Sequence, residues 1–241
     1  MSGHSKWNNI KHKKEKTDAA KAGVFTKIGK EIAVAVRAGG GDPNTNGKLR
    51  DLIAKAKANN VPNDNIERAI KKSLDKDSAV YEEMTYEGYG PGGVAVIVEA
   101  ATDSKNRTAG DVRHFFSKYG GNLGTMGCVS FLFSEKGVII ITDEDEEVVE
   151  DKLMEEALEA GATDFESGED VYEIYTEPDD VYAISEALAA KGYTIASAER
   201  AKVPSTYVTL TNEDDINNMQ NLLDKLEEND DITNVFHNWE N

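Results

Sequence analysis

The chain has 241 residues, 27 Lys+Arg against 45 Asp+Glu, a net charge of −18 and a pI near 4.6. This length suits one to three domains of about 100–200 residues, each able to bury a core, and the longest apolar runs, Val94–Val98 and Val138–Ile141, are far shorter than the roughly 20 residues of a membrane-spanning helix. The single cysteine, Cys128, excludes an internal disulfide and multi-cysteine metal sites, and the polar, basic opening at residues 2–16 lacks the apolar stretch of a signal peptide, so a cytoplasmic location is expected.

The charge is unevenly spread. Residues 1–80 hold 17 Lys+Arg and 9 Asp+Glu, a net of +8, whereas residues 81–241 hold 10 and 36, a net of −26. Such asymmetry points to an anionic partner for the first segment, nucleic acid or an anionic surface, or to attraction between the two halves of one molecule.

In chain order, Phe25, Ile28, Ile32 and Val36 recur at helical spacing, with Lys27 and Lys30 on the opposite side. Gly39-Gly40-Gly41-Asp42-Pro43 ends that helix. A second helix carries Leu49, Leu52, Ile53 and Ala56 and ends near Asn59-Asn60, before Val61-Pro62. A third buries Ile66, Ala69 and Ile70, and Asp64 with Glu67 has capping-box spacing.

Beyond residue 80 short strands alternate with amphipathic helices. Strands are predicted at Val94–Glu99, Val129–Phe133 and Val138–Ile141, the last two joined by a turn at Glu135-Lys136-Gly137, with a helix on Val112, Phe115, Phe116 and Tyr119 between the first two. A helix at 146–160, a strand at Val171–Tyr175, a helix on Val181, Ile184 and Leu188, and a strand at Thr194–Ala198 follow. The end reads strand (Tyr207–Thr211), helix (Ile216, Met219, Leu223, Leu226), strand (Ile232–Phe236). The expected fold class is α+β: a helical N-terminal domain (1–80), a split-βαβ, ferredoxin-like domain (81–133 plus 205–241), and a second, acidic domain of the same kind (134–204) inserted in it.

Several motifs fail on context. Gly88-Tyr89-Gly90-Pro91-Gly92-Gly93 matches G-x-G-x-x-G, but it precedes a strand rather than opening a helix, so it reads as a turn. Gly41–Lys48 is one residue too long for a phosphate-binding P-loop and has Leu49 where Ser/Thr is needed. Residues 143–159 hold ten carboxylates and one lysine, which fits a solvated acidic face better than a metal site. The four histidines have no zinc spacing, and Cys128 has no base partner in sequence. No enzyme, cofactor or metal is expected.

Three groups of basic residues survive. The N-terminal arm places Lys6, Lys11, Lys13, Lys14 and Lys16 around Trp7, which suits phosphate neutralisation with stacking on a base. Lys27 and Lys30 on the first helix join them. On the third helix, Arg68, Lys71 and Lys72 project opposite the apolar face. A secondary anion site is expected at Lys105, Arg107 and Arg113, because Ser104–Thr108 opens a helix.

Gly3-His4-Ser5-Lys6-Trp7, Lys11-His12-Lys13-Lys14, Asn65 to Ile70, Tyr86 to Gly93, and Asn106-Arg107-Thr108 through Gly124 together resemble the YebC/PmpR family over essentially the whole chain. The resemblance implies a helical N-terminal domain followed by two α+β domains, and a DNA-binding transcriptional regulator. It also implies a relationship to mitochondrial translational activators of cytochrome c oxidase and to bacterial factors that relieve stalled ribosomes. With the family motif beginning at residue 2, a bacterial cytoplasmic member is expected. The expected partner is therefore DNA or, alternatively, ribosomal RNA, with a protein partner on the acidic domains and no membrane. A metal-dependent nuclease using the 143–159 carboxylates is the distant alternative.

Overall fold

Apolar residues at helical spacing fold the first region into three helices in the computed structural model, which describes residues 18–75, 77–143, 148–168 and 171–240. Helix α1 (Asp18–Gly39) buries Ile28, Ile32, Ala35 and Val36 against Leu49, Leu52 and Ala56 of α2 (Gly47–Ala58) and Ile66 of α3 (Asn63–Ser73). Buried Asn46 ties α1 to α2. Its Oδ1 accepts from the Leu49 N–H at 3.1 Å, and its Nδ2 donates to the carbonyls of Ala35 (2.9 Å) and Gly40 (2.8 Å). A side-chain cap of this kind is worth about 1 kcal/mol. The capping box expected at Asp64 and Glu67 does not form: Pro62 holds the N-cap position of α3, no side chain caps it, and the Pro62 carbonyl takes the Asn65 N–H instead.

The chain divides into two compact units. One is built on Ser134–Val203; the other joins the helical region to the remaining α+β residues up to Phe133 and from Pro204. In the latter unit, strands β1 (Glu82–Tyr89), β2 (Ala95–Thr102), β3 (Asn122–Leu123) and β9 (Ile232–His237) form an antiparallel sheet in the order β3-β1-β2-β9. Pro91–Gly93 make the turn between β1 and β2, as its glycines predict. Helices α4 (Lys105–Lys118) and α7 (Glu213–Glu228) supply Val112, Phe116, Met219, Leu222 and Leu226 to a core with Val94, Val96 and Val98. Helix α1 packs against β2 and β9. The spatial order is that of a split-βαβ sheet, reached by a permuted path. The β2–α4–β3 crossover straddles β1, which enters ahead of β2 as one arm of a hairpin.

The Ser134–Val203 unit follows βαββαβ in chain order: β4 (Phe133–Thr142), α5 (Glu150–Ala160), β5 (Asp164–Ser167), β6 (Val171–Thr176), α6 (Val181–Ala190) and β7 (Ile195–Pro204), with sheet order β5-β6-β4-β7. Ile139, Ile141, Leu153, Ile174, Val181 and Leu188 fill its core. Two expectations change here. The turn at Glu135-Lys136-Gly137 is absent, and β4 runs through it; Gly137 pairs with Thr176, and a Cβ at 137 would sit 2.1 Å from the Thr176 Oγ1, so glycine serves close strand approach. Val129–Leu132 is not a strand but leads into a 3₁₀ turn, Ser130–Leu132. Strands β8 (Val208–Thr209) and β10 (Trp239–Glu240) pair in parallel as a separate ribbon.

Candidate nucleic-acid interface

The basic residues fall into three structural classes. Lys6, Trp7, Lys11, Lys13, Lys14 and Lys16 lie outside the described residues. Lys27 and Lys30, expected on phosphates, face the protein. The Lys27 ammonium donates to the Glu227 carbonyl at the end of α7, while Lys30 donates to the Asp230 carbonyl at 2.9 Å and the Asp231 Oδ1 at 2.7 Å. The Lys30 side chain is only 13% exposed. These lysines lie opposite the α1 apolar face, as helical geometry requires, but that side covers the end of α7 rather than solvent.

Arg68, Lys71 and Lys72 are exposed on α3, opposite buried Ile66. Arg68 Nη1 donates to Asn65 Oδ1 at 3.3 Å, leaving most of the guanidinium available. Helix α2 adds two exposed cations not singled out from sequence, Arg50 and Lys57. Their spacing of seven residues, about 20° apart around a helix and away from Leu49, Leu52 and Ala56, is the signal that identifies them. The neighbouring Lys48 and Lys55 are paired, with Glu83 at 2.5 Å and Glu31 at 2.9 Å.

The secondary anion site expected at the start of α4 already holds an anion, the protein's own Asp231. Its Oδ2 accepts from Arg107 Nη2 (2.6 Å) and Nε (3.2 Å), Thr108 Oγ1 (2.9 Å) and Thr102 Oγ1 (3.2 Å), and its Oδ1 takes Lys30. Burial pushes the Asp231 carboxyl up, but hydrogen bonds from Lys30, Arg107 and Thr108 outweigh it and hold the group at about 2, below the ordinary 3.8. Arg107 also bonds Asp103 at 2.8 Å, and Lys105 pairs with Glu82 at 2.5 Å. Arg113 is exposed and takes no part in the cluster. The expectation failed because sequence spacing gave no sign that a carboxylate 124 positions from Arg107 fills the site.

No nucleophilic constellation accompanies these cations among the described residues. Burial, and then the charge of Glu87, push the half-buried Cys128 thiol up, away from a reactive thiolate. His114 is exposed, and buried His237 accepts the Trp239 N–H on Nδ1 at 3.2 Å. Among the described residues no three His, Cys, Asp or Glu gather as a metal site, and no helix is long and apolar enough to cross a membrane.

The family model for the TACO1/YebC N-terminal domain matches residues 5–76, and the model for the TACO1/YebC second and third domains matches residues 81–239. The chain belongs to the TACO1/YebC family. It is 58% identical over 240 residues to a "probable transcriptional regulatory protein" of Acetivibrio thermocellus, covering 99% of each chain. A protein of the same description from Agathobacter rectalis is 57% identical over 241 residues, covering 100% of each. A crystal structure of a conserved hypothetical protein from Aquifex aeolicus superposes with a TM-score of 0.81 at 46% identity, over 93% of this chain and 92% of that one. The α+β class with a helical N-terminal region holds, and the relatives support a regulatory role.

Proposed function

We propose that this protein is a cytoplasmic, DNA-binding regulator of transcription that docks through its helical region. The observation carrying this reading is the exposed row Arg68, Lys71 and Lys72 on α3, opposite that helix's buried face. Arg50 and Lys57 of α2 extend the basic surface, and Lys6, Lys11, Lys13, Lys14 and Lys16 of the arm add charge along the same polyanion, with Trp7 stacking on an exposed base. Lys27 and Lys30 position α1 instead of touching phosphate. Lysines and arginines without a base-reading pattern set register and orientation rather than sequence, so binding to duplex DNA is weakly selective. The α+β domains, with their net negative charge, repel DNA and so add nothing to its binding. Crosslinking the full-length protein in cells and sequencing the attached nucleic acid tests the reading. Recovery of chromosomal DNA is expected; recovery of ribosomal RNA alone would make this a translation factor.

A further inference from the structure

The most exposed large apolar side chains of the unit that contains the helical region sit on one loop, between β3 and β4. Met126 is 83% exposed and Phe131 72%, although Val129 between them is fully buried. The loop is nevertheless held firmly. Buried Glu87 of β1 accepts the Gly127 N–H on Oε1 at 2.9 Å, and those of Val129 and Ser130 on Oε2 at 2.9 Å each. Burial pushes the Glu87 carboxyl up, yet these backbone donors bring it below its ordinary value, so the clamp is ionised. Tyr89 Oη donates to the Cys128 carbonyl at 3.2 Å, and the Gly124 N–H to the Glu87 carbonyl at 2.8 Å. A Cβ on Gly124 would lie 2.5 Å from the Cys128 Sγ, so any larger residue there would displace the Cys128 side chain. The pinned residues Gly127 and Ser130 immediately adjoin Met126 and Phe131. The two apolar groups are thus presented by a backbone already fixed in place, which removes much of the ordering cost of binding.

Charge selects the occupant. Residues 119–134 contain no Asp, Glu, Lys, Arg or His, in a chain that is 30% charged. A wedge between bases needs cations beside it to hold the flanking phosphates, and this stretch has none. Residues 81–133 and 204–241 carry 5 Lys+Arg against 15 Asp+Glu, which repels nucleic acid and also a second copy of a chain at −18. An uncharged apolar tip carried by a net-negative α+β region matches the opposite arrangement: an apolar pocket rimmed by lysine and arginine on another protein.

We propose that the Met126–Phe131 loop is a docking tip, positioned by Glu87, that inserts Phe131 and Met126 into an apolar pocket on a basic partner protein. This inference is independent of DNA binding by the helical region. The test places a benzophenone amino acid at position 131 of the full-length chain, with Thr209 as a control site, and crosslinks in cells. The expected result is a crosslinked protein, absent from the control, that mass spectrometry identifies as basic. With that protein purified, Phe131→Ser and Met126→Ser each weaken binding at least about tenfold, added salt weakens it further, and Glu87→Gln weakens it while far-UV circular dichroism stays unchanged. Glu87→Gln also speeds amide exchange at Gly127, Val129 and Ser130. A nuclease-sensitive crosslink, a crosslinked pair of this chain, no crosslink, or an acidic partner whose affinity ignores both apolar substitutions would overturn the proposal.

Discussion

Replacing Asp231 by Asn removes the charge at the point where α1, β2 and α4 meet β9, while keeping nearly the same shape. Lys30 at 2.7 Å and Arg107 at 2.6 Å then lose their carboxylate, and the Thr102 and Thr108 hydroxyls lose a strong acceptor. The difference between an ordinary carboxyl at 3.8 and this one at about 2 corresponds to about 2 kcal/mol at neutral pH. The sign follows from the direction. A carboxyl held low in the folded state stabilises it above the unfolded value near 4, and this contribution fades as pH falls through about 2. Urea unfolding of wild type and Asp231→Asn should therefore differ by about 2 kcal/mol at pH 7 and by less than about 1 kcal/mol at pH 2.5. The other carboxylates titrate in both proteins and cancel in the difference. A gap as large at pH 2.5 as at pH 7 would show that Asp231 acts through shape alone.

Three further outcomes are expected. Glu87→Gln replaces one acceptor oxygen of a carboxylate that takes three backbone N–H bonds with a donor, and should cost about 1–3 kcal/mol in chemical unfolding at pH 7, less in acid because its carboxyl is held low in the fold. Lys30→Ala should lower stability yet leave the salt dependence of duplex binding unchanged, because its charge already serves Asp231. Replacing Lys11, Lys13, Lys14 and Lys16 together by Ala should make log K against log salt shallower by about 3–4, at roughly 0.9 per lost phosphate contact, with unfolding within about 0.5 kcal/mol per site of wild type.

Local periodicity carried most of the fold. Ile28, Ile32 and Val36 are buried as their spacing requires, and so are Val112 with Phe116 and Leu153 with Ala157. What periodicity could not supply was the partner of each surface. Gly137 reads as a turn residue because its need, a close approach to Thr176, depends on a strand almost forty positions later. No sequence pattern singles out Asn46, yet it is the buried cap that joins two helices. The same limit applies at the candidate interface. A helical wheel separates Lys30 from the apolar face just as it separates Lys71, and only the packing of α1 on β9 shows that one meets Asp231 while the other meets water. Arg50 and Lys57 were within reach of sequence reasoning through their spacing of seven.

The salt dependence of duplex DNA binding by Arg68→Ala/Lys71→Ala/Lys72→Ala bears most directly on the proposed role of the helical region. These three side chains are exposed on α3, away from its buried residue Ile66, so their loss should leave thermal unfolding near that of wild type. With three phosphate contacts removed, the slope of log K against log salt should become shallower by about 2.7, and affinity should fall across DNA sequences alike. An unchanged slope in a folded variant would take α3 out of the interface and contradict the account.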